Sequence, residues 1–193
     1  MIEQEIREDS RYGKDKSTAI DHNYIDSGEY RRKFDNISDN KELNKNLYQR
    51  AKKMLNHRSG TDFEDMYWFD ENTGKEFTSI TNMSIPSVVK YSPDFMKKYH
   101  DIKNKVTIHN HPRSMPPSMG DFESAYRNGY SFGVIAAHDG TVYIYRNLTK
   151  PQAELYDSIT SNLRAMGYSE FGVEVMALEE MADRGILVFK EVN

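Results

Sequence analysis

A chain of 193 residues can hold one domain with a full core, and 37% hydrophobic content with a mean hydropathy of −0.81 predicts that this core spans only part of the length. A net charge of −4 and a pI near 5.9 argue against general affinity for nucleic-acid backbone, and acidic residues break up the basic runs at 31–33, 52–53 and 97–98. The absence of Cys excludes a thiolate metal site and fits a reducing compartment; with no apolar leader after Met1 and no run near the roughly 18 residues of a membrane span, the expected location is the cytoplasm.

Residues 1–38 are polar and without sustained periodicity. They read as a weakly ordered arm with a short helix near 28–34, or as a segment that docks through Tyr24, Ile25, Tyr30 and Phe34. Leu43, Leu47, Ala51 and Leu55 recur every fourth residue, which predicts a helix over 40–56 capped by Asp39 and broken at Ser59-Gly60. An aromatic-rich strand over 64–69, with Trp68 in the core, leads through the loop 71–75 to a second strand over 76–82. Ser92-Pro93-Asp94 opens a short helix to about His100. A strand over 105–110 follows, then a proline-rich turn and a helix over 119–128 ending at Gly129. Strands over 132–137 and 141–146 flank Asp139-Gly140, a pair suited to a type I′ turn. Helices over 151–166 and 173–183 and a strand over 186–192 complete the chain, the first helix carrying a stripe of Leu155, Ile159, Leu163 and Met166. This order predicts an α/β (α+β) domain over 39–150, a mixed sheet flanked by helices, with an N-terminal extension and a helical C-terminal extension packed on it.

The chemistry concentrates in 109–121. His109 and His111 share a face of an extended strand, with Asn110 pointing away. Pro112, Pro116 and Pro117 stiffen the return path to Asp121, and Ser118-x-x-Asp121 reads as the capped start of a helix. Two imidazoles and a carboxylate, with a fourth position left open, are the ligand set of a catalytic zinc site. His57 and His138 read as surface groups, and His100 as a residue favoured by its helix end. Although 109–111 spell His-Asn-His, adjacency is not the dispersed pattern of the nuclease module named by those letters.

His109-x-His111-Pro112 followed by Ser118-x-x-Asp121 resembles the motif of the JAB/MPN/JAMM metallopeptidases, and the wording around it is most similar to the prokaryotic branch, including phage-associated and RadC-like domains. The likeness covers about 41–146 and implies a JAB/MPN-like, cytidine-deaminase-like fold. It also implies a Glu on an earlier strand. Glu64 is the position that matches, while Asp62, Asp65, Glu71 and Glu76 compete on residue type alone. Five residues separate Pro112 from Ser118 where the family usually has six, which predicts a tightened loop. The resemblance implies that His109, His111 and Asp121 hold Zn2+, that Glu64 is the proton acceptor and that Ser118 hydrogen-bonds the oxyanion, in hydrolysis of a peptide or protein substrate, for instance a C-terminal tail. Specificity would reside in 81–91 and 113–117. Two alternatives remain: a non-catalytic assembly or scaffold module of phage or prophage origin, and amide hydrolysis on a non-peptide substrate.

Overall fold

The computed structural model describes residues 17–82, 99 and 102–193. In chain order these form α1 (His22–Ile25), α2 (Gly28–Arg32), α3 (Lys41–Arg58), β1 (Met66–Asp70), β2 (Glu76–Ile80), β3 (Lys105–His111), α4 (Met119–Asn128), β4 (Tyr130–Ala137), β5 (Val142–Asn147), α5 (Ala153–Ala165), α6 (Glu170–Asp183) and β6 (Leu187–Glu191). The strand expected at 64–69 starts two residues later, which leaves Glu64 just ahead of the sheet. The helix expected over 92–100 lies outside the described residues, except for Tyr99, which is helical.

Six strands make one mixed sheet in the order β2-β1-β3-β4-β5-β6. All neighbours are antiparallel except β3 and β4, which run parallel with α4 as the crossover between them. Every residue of β3 is buried, because helices cover both faces of this central strand. On one face Val106 and Ile108 of β3, Tyr67 and Phe69 of β1 and Val134 and Ala136 of β4 pack with Leu43, Leu47, Ala51 and Leu55 of α3. On the opposite face Ile135, Tyr143 and Tyr145 pack with Phe122 of α4 and with Ala177, Leu178 and Met181 of α6. Met66, Trp68 and Tyr99 form a smaller aromatic cluster, in which the Trp68 indole N–H donates to the Tyr130 hydroxyl at 2.9 Å.

Residues 17–38 dock, so the reading as a weakly ordered arm does not hold for this stretch. Asp21 and Ser27 cap two short helices, which turn Ile25, Tyr30 and Phe34 toward the α3 face, where all three are buried. Tyr24 lies so close to the 138–140 loop that a Cβ on Gly140 would overlap its ring. Sparse apolar residues on separate short helices leave no periodic signal in the sequence, although their combined area is enough to bury.

Three further expectations shift. The cap of α3 is Asn40 rather than Asp39: its Oδ1 accepts from the N–H groups of Glu42 and Leu43, while its Nδ2 donates to the carbonyls of Glu71 and Asn72. An amide can bridge the helix start to the β1–β2 loop, whereas a carboxylate has no donor for those carbonyls. The β4–β5 connection is not type I′. Gly140 N–H donates to the Ala137 carbonyl at 3.0 Å and Ala137 N–H to the Thr141 carbonyl at 2.9 Å, with positive φ at Gly140 but not at Asp139. This is a three-residue loop, a type I turn followed by a left-handed glycine. On α5, Leu155, Ile159 and Leu163 pack against the core as expected, with Tyr156 and Thr160 buried beside them, but Met166 at the end of the stripe is 70% exposed.

Gly133 on β4 lies beneath the Tyr145 ring, and any Cβ there would collide with it. We expect Gly133→Ala to cost about 1–3 kcal/mol of stability by forcing Tyr145 off the sheet. Chemical denaturation measures this; an unchanged midpoint would mean that the ring has room to move.

Candidate metal centre

Period-two alternation along β3 sends Thr107, His109 and His111 to the α4 side and Val106, Ile108 and Asn110 to the α3 side. The His109 and His111 Nε2 atoms stand 3.0 Å apart. His111 Nδ1 lies 2.8 Å from the Met115 carbonyl, so that N–H donates there and Nε2 carries the lone pair toward His109 and Asp121. The Tyr145 ring meets His109 edge to face at 6.3 Å and Phe122 at 5.3 Å, so the histidine is packed against a stack that Gly133 makes possible.

The turn after β3 brings the chain back as anticipated. Ser114 N–H donates to the His111 carbonyl, and Ser114 takes φ 54°, the only positive φ at a non-glycine among the described residues. Its hydroxyl accepts from Asp139 N–H at 2.9 Å, which ties this loop to the β4–β5 connection. Ser118 and Asp121 then form a capping box at the start of α4. Both the hydroxyl and the backbone N–H of Ser118 donate to Asp121 Oδ2 at 2.8 Å, which leaves Oδ1 turned to His109 Nε2 at 3.2 Å. His111 Nε2 is 3.6 Å from Oδ2.

His109, His111 and Asp121 therefore offer one ligand atom each, all within 4.8 Å of one another, and could bind a metal ion. A tetrahedral ion with bonds of about 2.0–2.1 Å holds its ligand atoms about 3.3 Å apart. The edges of 3.0 Å and 3.2 Å lie close to that separation. His109 Nδ1 is buried and has no hydrogen-bond partner among the described residues, whereas Nε2 faces the cluster. Burial alone would raise the Asp121 carboxyl, but the charge and hydrogen bond of His109, then His111 and the Ser118 N–H, outweigh it and hold the group well below the usual carboxylate range.

Glu64 lines the same cavity, about 250 Å³ in volume, together with His111, Pro112, Arg113, Met115, Ser118 and Asp121. Burial pushes its carboxyl up to about 7, with His111 opposing and Asp121 adding to the rise. The competing acids are paired with basic side chains: Asp62 with Arg113 at the cavity wall, Asp65 with Arg58 and His57, and Glu76 with Arg50. Asp70 N–H donates to Lys75 O and Glu71 N–H to Asn104 O, which keeps Glu71 at the far end of β1. The structure thus brings together all five motif residues. Of the two segments expected to carry specificity, Arg113 and Met115 line the cavity, while 83–91 lie outside the described residues.

His57 is half exposed, as expected, but His138 is not a surface group: it is 1% exposed and its ring lies behind β3. The three-residue loop turns it inward, whereas a two-residue turn would have placed it at the strand end. Met115, Tyr145 and Ser114 also serve the site without a signal in the sequence, the first because it acts through its carbonyl.

Among family models, curated proteins and solved structures, none matches this chain.

The raised Glu64 carboxyl has a consequence for stability in metal-free protein. Its folded value of about 7 lies above the ordinary 4.5, so the folded state binds the proton more tightly and stability falls as pH rises from about 4.5 to 7. Glu64→Gln removes that loss. With chelator present we expect the variant to exceed the wild type by about 3 kcal/mol at pH 8 and to match it near pH 4. Parallel denaturation curves at the two pH values would refute the burial of this group.

Proposed function

We propose that the protein is a zinc-dependent peptidase or isopeptidase of the JAB/MPN/JAMM type. The observation that carries the reading is the convergence of three nitrogen and oxygen ligands with one desolvated glutamate on a single cavity. The alternation of β3, the capped start of α4 and the parallel β3–α4–β4 unit support it, since they aim the ligands from rigid elements.

His109, His111 and Asp121 would hold the ion. A divalent ion bound there supplies acidification of water toward about 7 and polarisation of the scissile carbonyl. Glu64, held near neutrality, accepts a proton from the attacking water and delivers it to the leaving amine. Ser118 keeps Asp121 oriented through its N–H, and its hydroxyl, engaged with Asp121 in this structure, would turn to the oxyanion, a contact worth about 2.7–4 kcal/mol when well aimed. The walls formed by Pro112, Met115 and Arg113 suit an extended peptide or a protein tail entering beside the ion.

Purified protein should contain one zinc per chain. His109→Ala, His111→Ala and Asp121→Ala should each lose it, as read by metal analysis after dialysis. Glu64→Gln should retain zinc and lose about 100- to 10,000-fold in kcat in a peptide-library cleavage assay. Zinc retained in the Asp121 variant would refute the ligand set. Stoichiometric zinc without Glu64-dependent cleavage would favour the non-catalytic assembly module.

A further inference from the structure

Asn110 stands between the two histidines in sequence and on the opposite side of the sheet. Its side-chain amide is fully used. Oδ1 accepts from Asp65 N–H at 2.8 Å, and Nδ2 donates to the Phe63 carbonyl at 3.1 Å and lies 2.9 Å from His138 Nε2. His138 Nδ1 lies 2.6 Å from the Thr18 carbonyl. Only one assignment satisfies every partner: Nδ1–H donates to Thr18, and the Nε2 lone pair accepts from Asn110. The Thr18 carbonyl also accepts from Gly60 N–H at 2.9 Å, and Ile20 N–H donates to the Ser59 hydroxyl at 3.2 Å.

These bonds bracket Glu64. The ladder between β1 and β3 starts at Met66 opposite His109, and continuing that register sets Asp65 opposite Asn110 and Glu64 opposite His111. The backbone pairing stops before those rungs, and the Asn110 amide takes their place by holding the carbonyl before Glu64 and the N–H after it. Ser59 and Gly60, at the other end of the same segment, are held by the strap at 18–20. The Asp65 carboxylate, facing away from the metal side, is anchored by Arg58 at 2.5 Å and His57 at 2.7 Å.

We propose that Asn110 is the positioning residue for Glu64, and that His138 and the N-terminal strap hold Asn110 in turn. The inference rests on the reading of Glu64 as the proton acceptor beside a metal ion. It makes the docked N-terminal segment part of the site, joined to it through Thr18, His138, Asn110 and the backbone around Glu64. Asn110→Asp keeps the acceptor for Asp65 N–H but loses both donors: the Phe63 carbonyl is left without its partner, and His138 keeps its contact only by taking up a proton at Nε2. His138→Phe breaks the chain one step farther out.

The full-length wild type and both variants, labelled with 13C-glutamate and loaded with Co2+, provide the test. The Glu64 carboxyl resonance is identified by its absence in Glu64→Gln. Its paramagnetic relaxation falls steeply with distance from cobalt and so reports position directly. We expect one cobalt per chain in all forms, strong relaxation of Glu64 in the wild type, and a clear weakening in Asn110→Asp and in His138→Phe. In the zinc-loaded forms kcat should fall by about 100-fold with KM unchanged, the scale of an ångström-sized misplacement. In the Glu64→Gln background, Asn110→Asp should add nothing further, whereas a merely structural defect would multiply. Unchanged Glu64 relaxation in a folded variant that binds cobalt overturns the inference and leaves the metal reading intact. If Asn110→Asp does not fold, His138→Phe decides by the same criteria. Failure of the wild type to bind cobalt overturns both.

Discussion

The reciprocal hydrogen bonds between Ser118 and Asp121 carry two loads at once. They satisfy N–H groups at the start of α4, and they take up one carboxylate oxygen so that the other faces the histidines of β3. A ligand whose orientation is fixed by a helix cap costs little entropy to present, because the helix would need that cap in any case. The rest of the architecture can be understood as holding this cap opposite the end of β3. The parallel pairing of β3 and β4 sets where the crossover helix starts, and the proline turn sets how far from His111 it lies.

That turn is short, and the shortness is absorbed locally. Ser114 adopts a left-handed conformation, which is costly for a residue with a Cβ, and its hydroxyl is engaged by the Asp139 N–H. The β4–β5 loop is therefore a support for the site as well as a connection. It receives Ser114 from one side, presents His138 to Asn110 within, and is covered by Tyr24 at Gly140. Two segments far from it in sequence, 110–114 and the N-terminal strap, meet at this loop, and its conformation suits both.

Electrostatically, the two carboxyls facing the cavity are driven apart. Asp121 gains more from two imidazoles and a backbone N–H than it loses by burial, whereas burial dominates at Glu64. Neighbouring acids separated in this way can divide ligand and proton-transfer roles between them. The separation supports the proposed assignment, with a charged ligand beside a group that exchanges protons near neutral pH.

Local rules made much of this legible in the residues. The α3 stripe, the run and end of α4 at Gly129, and the shared face of His109 and His111 follow from periodicity and capping, which depend only on near neighbours. Ser118 and Asp121 were recognisable for the same reason, whereas Glu64 required the family resemblance to be preferred over four nearby acids. The N-terminal docking, the inward His138, the three-residue loop and the hydrogen bonds that flank Glu64 were decided by tertiary structure. Each depends on a backbone carbonyl or a packed ring supplied by a segment dozens of residues away. A side chain carries its chemistry in its identity, but a carbonyl has none until the fold has brought it within reach.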